Sequence, residues 1–349
     1  MLRRWLGLPA LAFLLLHSAP AARAQVPGLE RLPSAVLPVT PPSARVNGEP
    51  GALRVAAASC PGPSATPVRQ RIVDIAVQEW AFFGFRVVDP FEVDDEPAGV
   101  PRIRRRSRLD PVEAARVAES IAGYWSATSD GAWIIERQNA VWQGPDGIAA
   151  RWQYPWSAAF VSWVMCEGGL GGQTQFRRAV AHHVYIDQAI RVRDAGGSGA
   201  YTAFDVGERG VEPGDLLCSA RRPSYDSLAE RRQQMGAGAR THCDIVVKVE
   251  AASGRIYAIG GNVRASVALK MLPAATVGAI TSPTRPAAGT RGRPIFAHLK
   301  LGAPAGADDA LGQTPTMRAL ACRQPAFRMP AQVALVDISI PRPISCQAE

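Results

Sequence analysis

An α+β fold, with helices packed on a small antiparallel sheet, is what the sequence predicts. Two observations carry it. Between Thr66 and Ala195, apolar residues recur at three-to-four spacing behind helix-start signals. Between Val211 and Leu301, short apolar runs are bounded by turn residues instead.

The elements follow in order. Residues 25–66 are rich in Pro, Ala, Ser and Val without lasting periodicity, which predicts an extended, partly disordered lead-in. Thr66-Pro67 opens a first helix with Ile72, Ile75, Ala76, Trp80 and Phe83 on one face. Asp110-Pro111-Val112-Glu113 opens a second, reaching towards Trp125, with Glu113 placed for a capping box. Pro155 cannot sit inside a helix, so a third starts at Ser157 and runs through Phe160, Val161, Val164 and Met165 to the stop at Gly168-Gly169. A fourth spans 173–195. Pro213-Gly214-Asp215 then turns the chain into a strand at 215–218. Further strands are predicted at 243–249, 255–260 and 295–301, with the turn Ala251-Ala252-Ser253-Gly254 between the middle two. Residues 67–300 form one domain, and 301–349 an irregular Pro-rich tail.

Residues 1–24 carry the signature of an export leader. Arg3 and Arg4 precede an apolar stretch from Trp5 to Leu16, and Ala22-Arg23-Ala24 is a small-residue cleavage site. The mature chain is thus expected to begin at Gln25, in a bacterial periplasm or outside the cell. No later run has the ~18 apolar residues of a spanning helix. The net charge of +9 falls to +6 once Arg3, Arg4 and Arg23 leave, a balance suited to anionic envelope polymers or lipid head groups. The basic run Arg102–Arg108 lacks the interleaved aromatics or fold motif of a nucleic-acid site, so no nucleic-acid partner is expected. Six cysteines remain, at 60, 166, 218, 243, 322 and 346, permitting three disulfides. Cys218 and Cys243 lie on strands expected to be neighbours, and a Cys322–Cys346 bond would pin the tail.

Three polar signals stand in order: Ser157 at a helix start, His242 at a strand start, and Asn262 after Gly260-Gly261. Each has a plain structural role open to it. Ser157 suits an N-cap, His242 a strand, and Asn262 a left-handed turn position. Each also has a chemical one, since a helix N-terminus favours an anion and an imidazole can serve as general base. His182 is either a partly buried helix residue or a cleft residue. His242, Cys243 and Asp244 cannot all ligate one metal ion, because neighbouring strand residues face opposite ways. No Gly-rich phosphate loop or metal spacing appears, so no cofactor is expected.

The stretches Trp156-Ser157-Ala158-Ala159-Phe160-Val161-Ser162-Trp163, Pro213-Gly214-Asp215-Leu216-Leu217, His242-Cys243-Asp244-Ile245-Val246-Val247 and Gly260-Gly261-Asn262 resemble, in sequence and order, the papain-like CHAP/NlpC-type superfamily of cell-wall amidases and endopeptidases. More closely, the chain looks like a bacterial family of uncharacterised exported proteins within it. The resemblance covers roughly 67–300. It implies a papain-like core and an amide hydrolase acting on peptidoglycan peptides or another envelope component. Ser157 would be the nucleophile, His242 the base and Asn262 the orienter, with Asp244 as the alternative orienter. Trp156 and Trp163 would be packing or cleft aromatics, and His182 and Asp244 would be near the cleft. Two departures stand out: the superfamily's nucleophile is a cysteine, and the position that often holds Glu is Gly260. A hydroxyl cannot form the thiolate–imidazolium pair, so Ser157 would need a true general base. The other expectation is therefore an inactive binding module for wall fragments on the same fold. Some other amide or ester substrate is a third.

Overall fold

Helix α1 (Val68–Phe82) begins directly after Pro67, where the ring's fixed φ favours a first turn. The computed structural model describes residues 29–89, 109–285 and 292–322. The leader, the Arg102–Arg108 run and Cys346, and with it the expected Cys322–Cys346 bond, lie outside the described residues. Short strands β1 (Val46–Asn47) and β2 (Arg54–Val55) precede α1, and β3 (Val87–Val88) follows it. Helix α2 (Pro111–Ser126) starts as expected. The Asp110 carboxylate accepts from the Glu113 N–H at 2.9 Å, and Pro111 occupies the first turn. Next come α3 (Gly131–Trp142), α4 (Ser157–Glu167) and α5 (His183–Ala195).

The remaining elements are β4 (Tyr201–Phe204), β5 (Leu216–Arg222), α6 (Leu228–Arg232), β6 (Arg240–Glu250), β7 (Arg255–Val263), β8 (Ser266–Val277), β9 (Ile280–Pro283), β10 (Ile295–Leu301) and α7 (Pro315–Cys322). The main sheet runs β3-β8-β7-β6-β5-β10-β4, with β9 paired to β8. All its pairs are antiparallel except β3–β8. The fold is thus α+β, but its sheet is an eight-stranded mixed one rather than the small antiparallel sheet expected. The difference comes from β8 and the short edge strands. Pro273 inside β8 discourages a strand reading, yet it pairs with Arg255, and Val267, Leu269 and Met271 alternate into the core.

Two helical expectations change. Helix α3 is additional, and its buried Ile134, Ile135, Gln138 and Trp142 lie at helical spacing. The fourth expected helix, 173–195, is helical only over α5. The stretch before it is held from α4 instead. Ser162 Oγ donates to the Ala179 carbonyl and accepts from the Ala179 N–H, both at 3.1 Å. Side-chain bonds of this kind compete with the intrahelical ladder.

The segment expected as a loose lead-in is packed. Leu37, Val39, Val46 and Leu53 are buried. The buried Arg45 guanidinium bonds Glu167 at 2.8 Å and Ser126 at 2.9 Å. A Cys60–Cys166 disulfide ties this segment to the end of α4, and Cys218–Cys243 joins β5 to β6 with 4.1 Å between Cα atoms, as strand adjacency predicts. Among the described residues, no helix is long and apolar enough to cross a membrane.

Helix α4 is buried all round and lies against β6 and β7. Cys243, Ile245, Tyr257 and Ile259 share its core, whereas Leu217, Val246, Ile256, Ala258 and Leu272 form a smaller cluster on the opposite face. Asp244 pairs directly with Leu217, so alternation puts Asp244, and His242 two residues before it, on that opposite face.

Candidate active site

The side chain of Ser157 does not cap its helix. Trp156 holds the N-cap position, Ser157 is the first helical residue, and Ser157 Oγ instead meets His182 Nε2 at 2.7 Å. His182 stands at the N-cap of α5 and is buried. Its other nitrogen, Nδ1, accepts the Cys243 backbone N–H at 3.2 Å and also bonds the Tyr185 hydroxyl. Burial pushes the Tyr185 phenol well above its ordinary range, so that group keeps its proton.

This arrangement fixes the proton on His182. A backbone N–H can only donate, so Nδ1 presents its lone pair and the ring proton is on Nε2. The Nε2–H then donates to Ser157 Oγ. Burial, reinforced by the nearby His242, pushes His182 well below the usual imidazole range and keeps it neutral. A base that removes the serine proton must offer a lone pair to Oγ. His182 offers a proton.

The second imidazole, His242, sits with its ring centre 5.1 Å from that of His182. Its Nε2 lies 2.8 Å from Asp244 Oδ1, and Lys270 Nζ donates to Asp244 Oδ2 at 2.8 Å. Burial opposes ionisation of Asp244, but the His242 ring and the Lys270 ammonium outweigh it and hold the carboxyl well below the usual carboxylate range. His242 is lowered in turn by burial, despite Asp244. A neutral His242 therefore donates Nε2–H to the carboxylate and carries its lone pair on Nδ1, the polarity of a general base. His242 is not the hydrogen-bond partner of Ser157, however. Strand alternation sends it to the far face from α4, and His182 occupies the position next to the hydroxyl.

Gly260 explains why Asp244 orients this ring. A Cβ at 260 would lie 2.0 Å from Asp244 Oδ1 and 3.0 Å from His242 Nε2, so the absence of a side chain there makes room for the carboxylate. Asn262, the residue expected to orient the imidazole, plays a backbone part. It sits at φ 56° where β7 bulges against β8, beside a tight turn at Arg264 and Ala265, also at positive φ. Trp156 is packing rather than cleft. It is buried, stacked on Tyr124 at 5.8 Å, and close to Phe83. Asp215 of the Pro-Gly-Asp turn is a structural hub, accepting from Arg69 at 2.9 Å, His298 at 2.8 Å and the Leu301 N–H at 3.0 Å. The structure thus joins Ser157 to His182 and His242 to Asp244, and brings the two pairs together. Tyr185, Lys270 and the Cys243 amide were not singled out by sequence. The three-residue step from His182 to Tyr185 on one helix face was the readable signal.

The model of one bacterial family, described as an uncharacterized protein conserved in bacteria (DUF2272), matches residues 114–301, from α2 to the end of β10. The chain belongs to DUF2272. That match spans Ser157, His182, His242, Asp244 and Asn262, so every residue of the candidate site lies inside the DUF2272 region. No curated protein and no solved structure matches this member. The CHAP/NlpC likeness accordingly stays one of motif order. Among the described residues, no group of three His, Cys, Asp or Glu side chains is placed to hold a metal ion.

A pH signature follows from His182 and His242. Unfolded imidazoles take up protons as pH falls through about 6.5, whereas the folded ones resist. Stability is therefore expected to be full above that value and to fall below it, by up to about 1.4 kcal/mol per pH unit for each such imidazole. Urea unfolding at pH 7.5 and 5.5 measures this. Nitrogen-15 NMR should show His182 as the Nε2–H tautomer throughout, and titration of that ring near 6.5 would overturn the assignment.

Proposed function

We propose that this DUF2272 protein is an exported cell-envelope binding module that holds peptidoglycan or a related wall component on a hydrolase-like arrangement. The observation carrying the reading is the locked His182 tautomer, which donates to Ser157 and leaves its hydroxyl without a base at hand. The two disulfides suit an oxidising compartment, and the leader-like N-terminus suits export.

The second reading is an amidase or endopeptidase in which Ser157 attacks and His242 takes its proton. The Asp244–His242 pair favours it, because its polarity is that of a working base. It requires the Ser157 side chain to leave His182 and reach His242 Nδ1.

One experiment separates the two. Purified sacculi are incubated with the wild type, Ser157→Ala and Ser157→Cys, and then analysed for co-sedimented protein and, by mass spectrometry, for released fragments. Binding predicts sedimentation without cleavage by the wild type. Cleavage by the wild type that Ser157→Ala abolishes would establish the hydrolase instead. Cleavage gained only by Ser157→Cys would mark a preserved cleft lacking its thiol.

A further inference from the structure

We propose that the arginines at the bulge between β5 and β6, Arg221, Arg222 and Arg240, form a carboxylate-binding subsite that takes the free C-terminus of a peptidoglycan stem peptide. The inference rests on the wall-binding reading and narrows its ligand from the wall in general to the terminal carboxylate of the peptide.

Strands β5 and β6 pair without a break from Leu216–Ile245 to Ala220–Thr241, and the ladder then skips one residue to reach Arg222–Arg240. Two residues of β5, Arg221 and Arg222, thus stand against one of β6. All three arginines are exposed. Like charges directly opposite each other weaken a strand pair, so this rung works against the sheet that carries it. No acid offsets it. Among the described residues, none of the three guanidinium groups has a hydrogen bond or an ion pair. The acids around them are engaged elsewhere: Asp226 with Arg285 at 2.7 Å, Asp187 with Arg231 at 2.7 Å, and Asp194 with Arg232 at 2.8 Å. The Glu230 carboxylate accepts the Asp226 N–H at 3.0 Å. Three uncompensated guanidinium groups at one point complement an anion from outside the chain.

The position of the rung selects the anion. Residues 240 and 242 face the same side of β6, so the arginines stand one rung, about 7 Å along the strand, from His242. Ser219 lies opposite His242, and the half-buried Ile295 of β10 pairs with Ser219. The planar fork of a guanidinium matches a carboxylate with two parallel hydrogen bonds. On β5 and β6 the charge is confined to this one rung, since the next two, Ser219–His242 and Leu217–Asp244, bring no further arginine or lysine. Such a point charge fits one terminal carboxylate, whereas a lipid surface or a phosphate polymer calls for cations spread along a face. A carboxylate held here sets the last residues of an extended peptide over Ile295 and the imidazole of His242, at about 3.5 Å per residue. Ile295 offers an apolar contact to a small side chain such as that of alanine.

The test titrates the full chain by calorimetry with diacetyl-lysyl-D-alanyl-D-alanine, which carries a single carboxylate, and with its C-terminal amide. Saturable binding of the acid is expected, with the amide at least about tenfold weaker. Arg222→Gln combined with Arg240→Gln should weaken the acid at least about tenfold and leave the amide unchanged. The corresponding double lysine variant should fall between, because it keeps the charge and loses the fork. Arg54→Gln, at an exposed arginine of β2, should bind as the wild type does. The double glutamine variant relieves the like-charge rung, so it should unfold at the same or a higher urea concentration than the wild type. Absence of saturable binding, equal binding of acid and amide, or binding indifferent to the double glutamine variant would overturn the subsite. Flotation with phosphatidylglycerol vesicles that depends on these arginines, without binding of the acid, would overturn it in favour of a lipid surface. Sacculus sedimentation run in parallel separates the failures. If sacculi still carry the protein down, only the carboxylate subsite falls; if they do not, the wall-binding reading falls on its own account, whatever the peptide does.

Discussion

Asp244→Ala is expected to cost about 3–5 kcal/mol of folding stability, the range for removing one partner from a buried, hydrogen-bonded charge pair. The carboxylate is almost wholly enclosed and has two donors, Lys270 and His242. Its loss strands the Lys270 ammonium, whose side chain is 19% exposed, and removes the only acceptor that the His242 ring proton has among the described residues. Urea unfolding at pH 7.5 provides the measurement. Asp244→Leu combined with Lys270→Met should recover most of the loss, because the larger part of the cost is the unpaired charge rather than the missing contact. A single-variant cost below about 1 kcal/mol, or a double variant no better than the single, would show that water reaches and solvates this group. Gly260→Ala should act through the same carboxylate. The added methyl would overlap Asp244 Oδ1, for an overpacking cost of about 1–3 kcal/mol.

The same neighbourhood shows which parts of this molecule a sequence reader can reach. Helix starts at Pro67, Asp110-Pro111 and Pro155 are legible because proline and capping carboxylates act within one turn of themselves. The antiparallel pairing of β6 with β7 follows from the short turn between them, and the opposition of Cys218 to Cys243 from the tendency of successive strands to be neighbours, although α6 lies between β5 and β6. The hydrogen-bond partners within the site are less legible. Nothing local says that His182 reaches Ser157, because that depends on Ser162 binding the Ala179 backbone and ending the helical reading of 173–182. Nor does the motif order reveal that His242 faces away from α4. That follows from strand parity, where a single residue of register decides the face. The alternative orienter Asp244, two residues from His242 on the same strand face, takes the orienting part in the space that Gly260 leaves.

Loss of the Cys60–Cys166 bond should be the second severe perturbation, and it bears directly on the site. The disulfide closes a loop of 106 residues, for which chain entropy alone gives about 4.7 kcal/mol. It also anchors residues 29–66 to the C-terminal turn of α4, the helix whose first residue is Ser157. The anchored segment brings Arg45 to Glu167, with a side-chain exposure of 2% for the arginine and none for the glutamate. Burial raises the Glu167 carboxyl, while the Thr40 N–H and Arg45 favour its charge, so the ion pair depends on the segment staying in place. A Cys60→Ala/Cys166→Ala variant is therefore expected to unfold at markedly lower urea than the wild type, and to expose residues 29–66 to limited proteolysis first. Arg45→Lys tests the ion pair separately, since it keeps the charge but loses the planar contacts to Ser126, Glu167 and the Ser59 carbonyl. A double-cysteine variant as stable as the wild type would mean that packing of Leu37, Val39, Val46 and Leu53, rather than the covalent tie, seats this segment on the core. The dependence would then shift to those side chains, and a Leu53→Ala change, rather than loss of the disulfide, would loosen the segment.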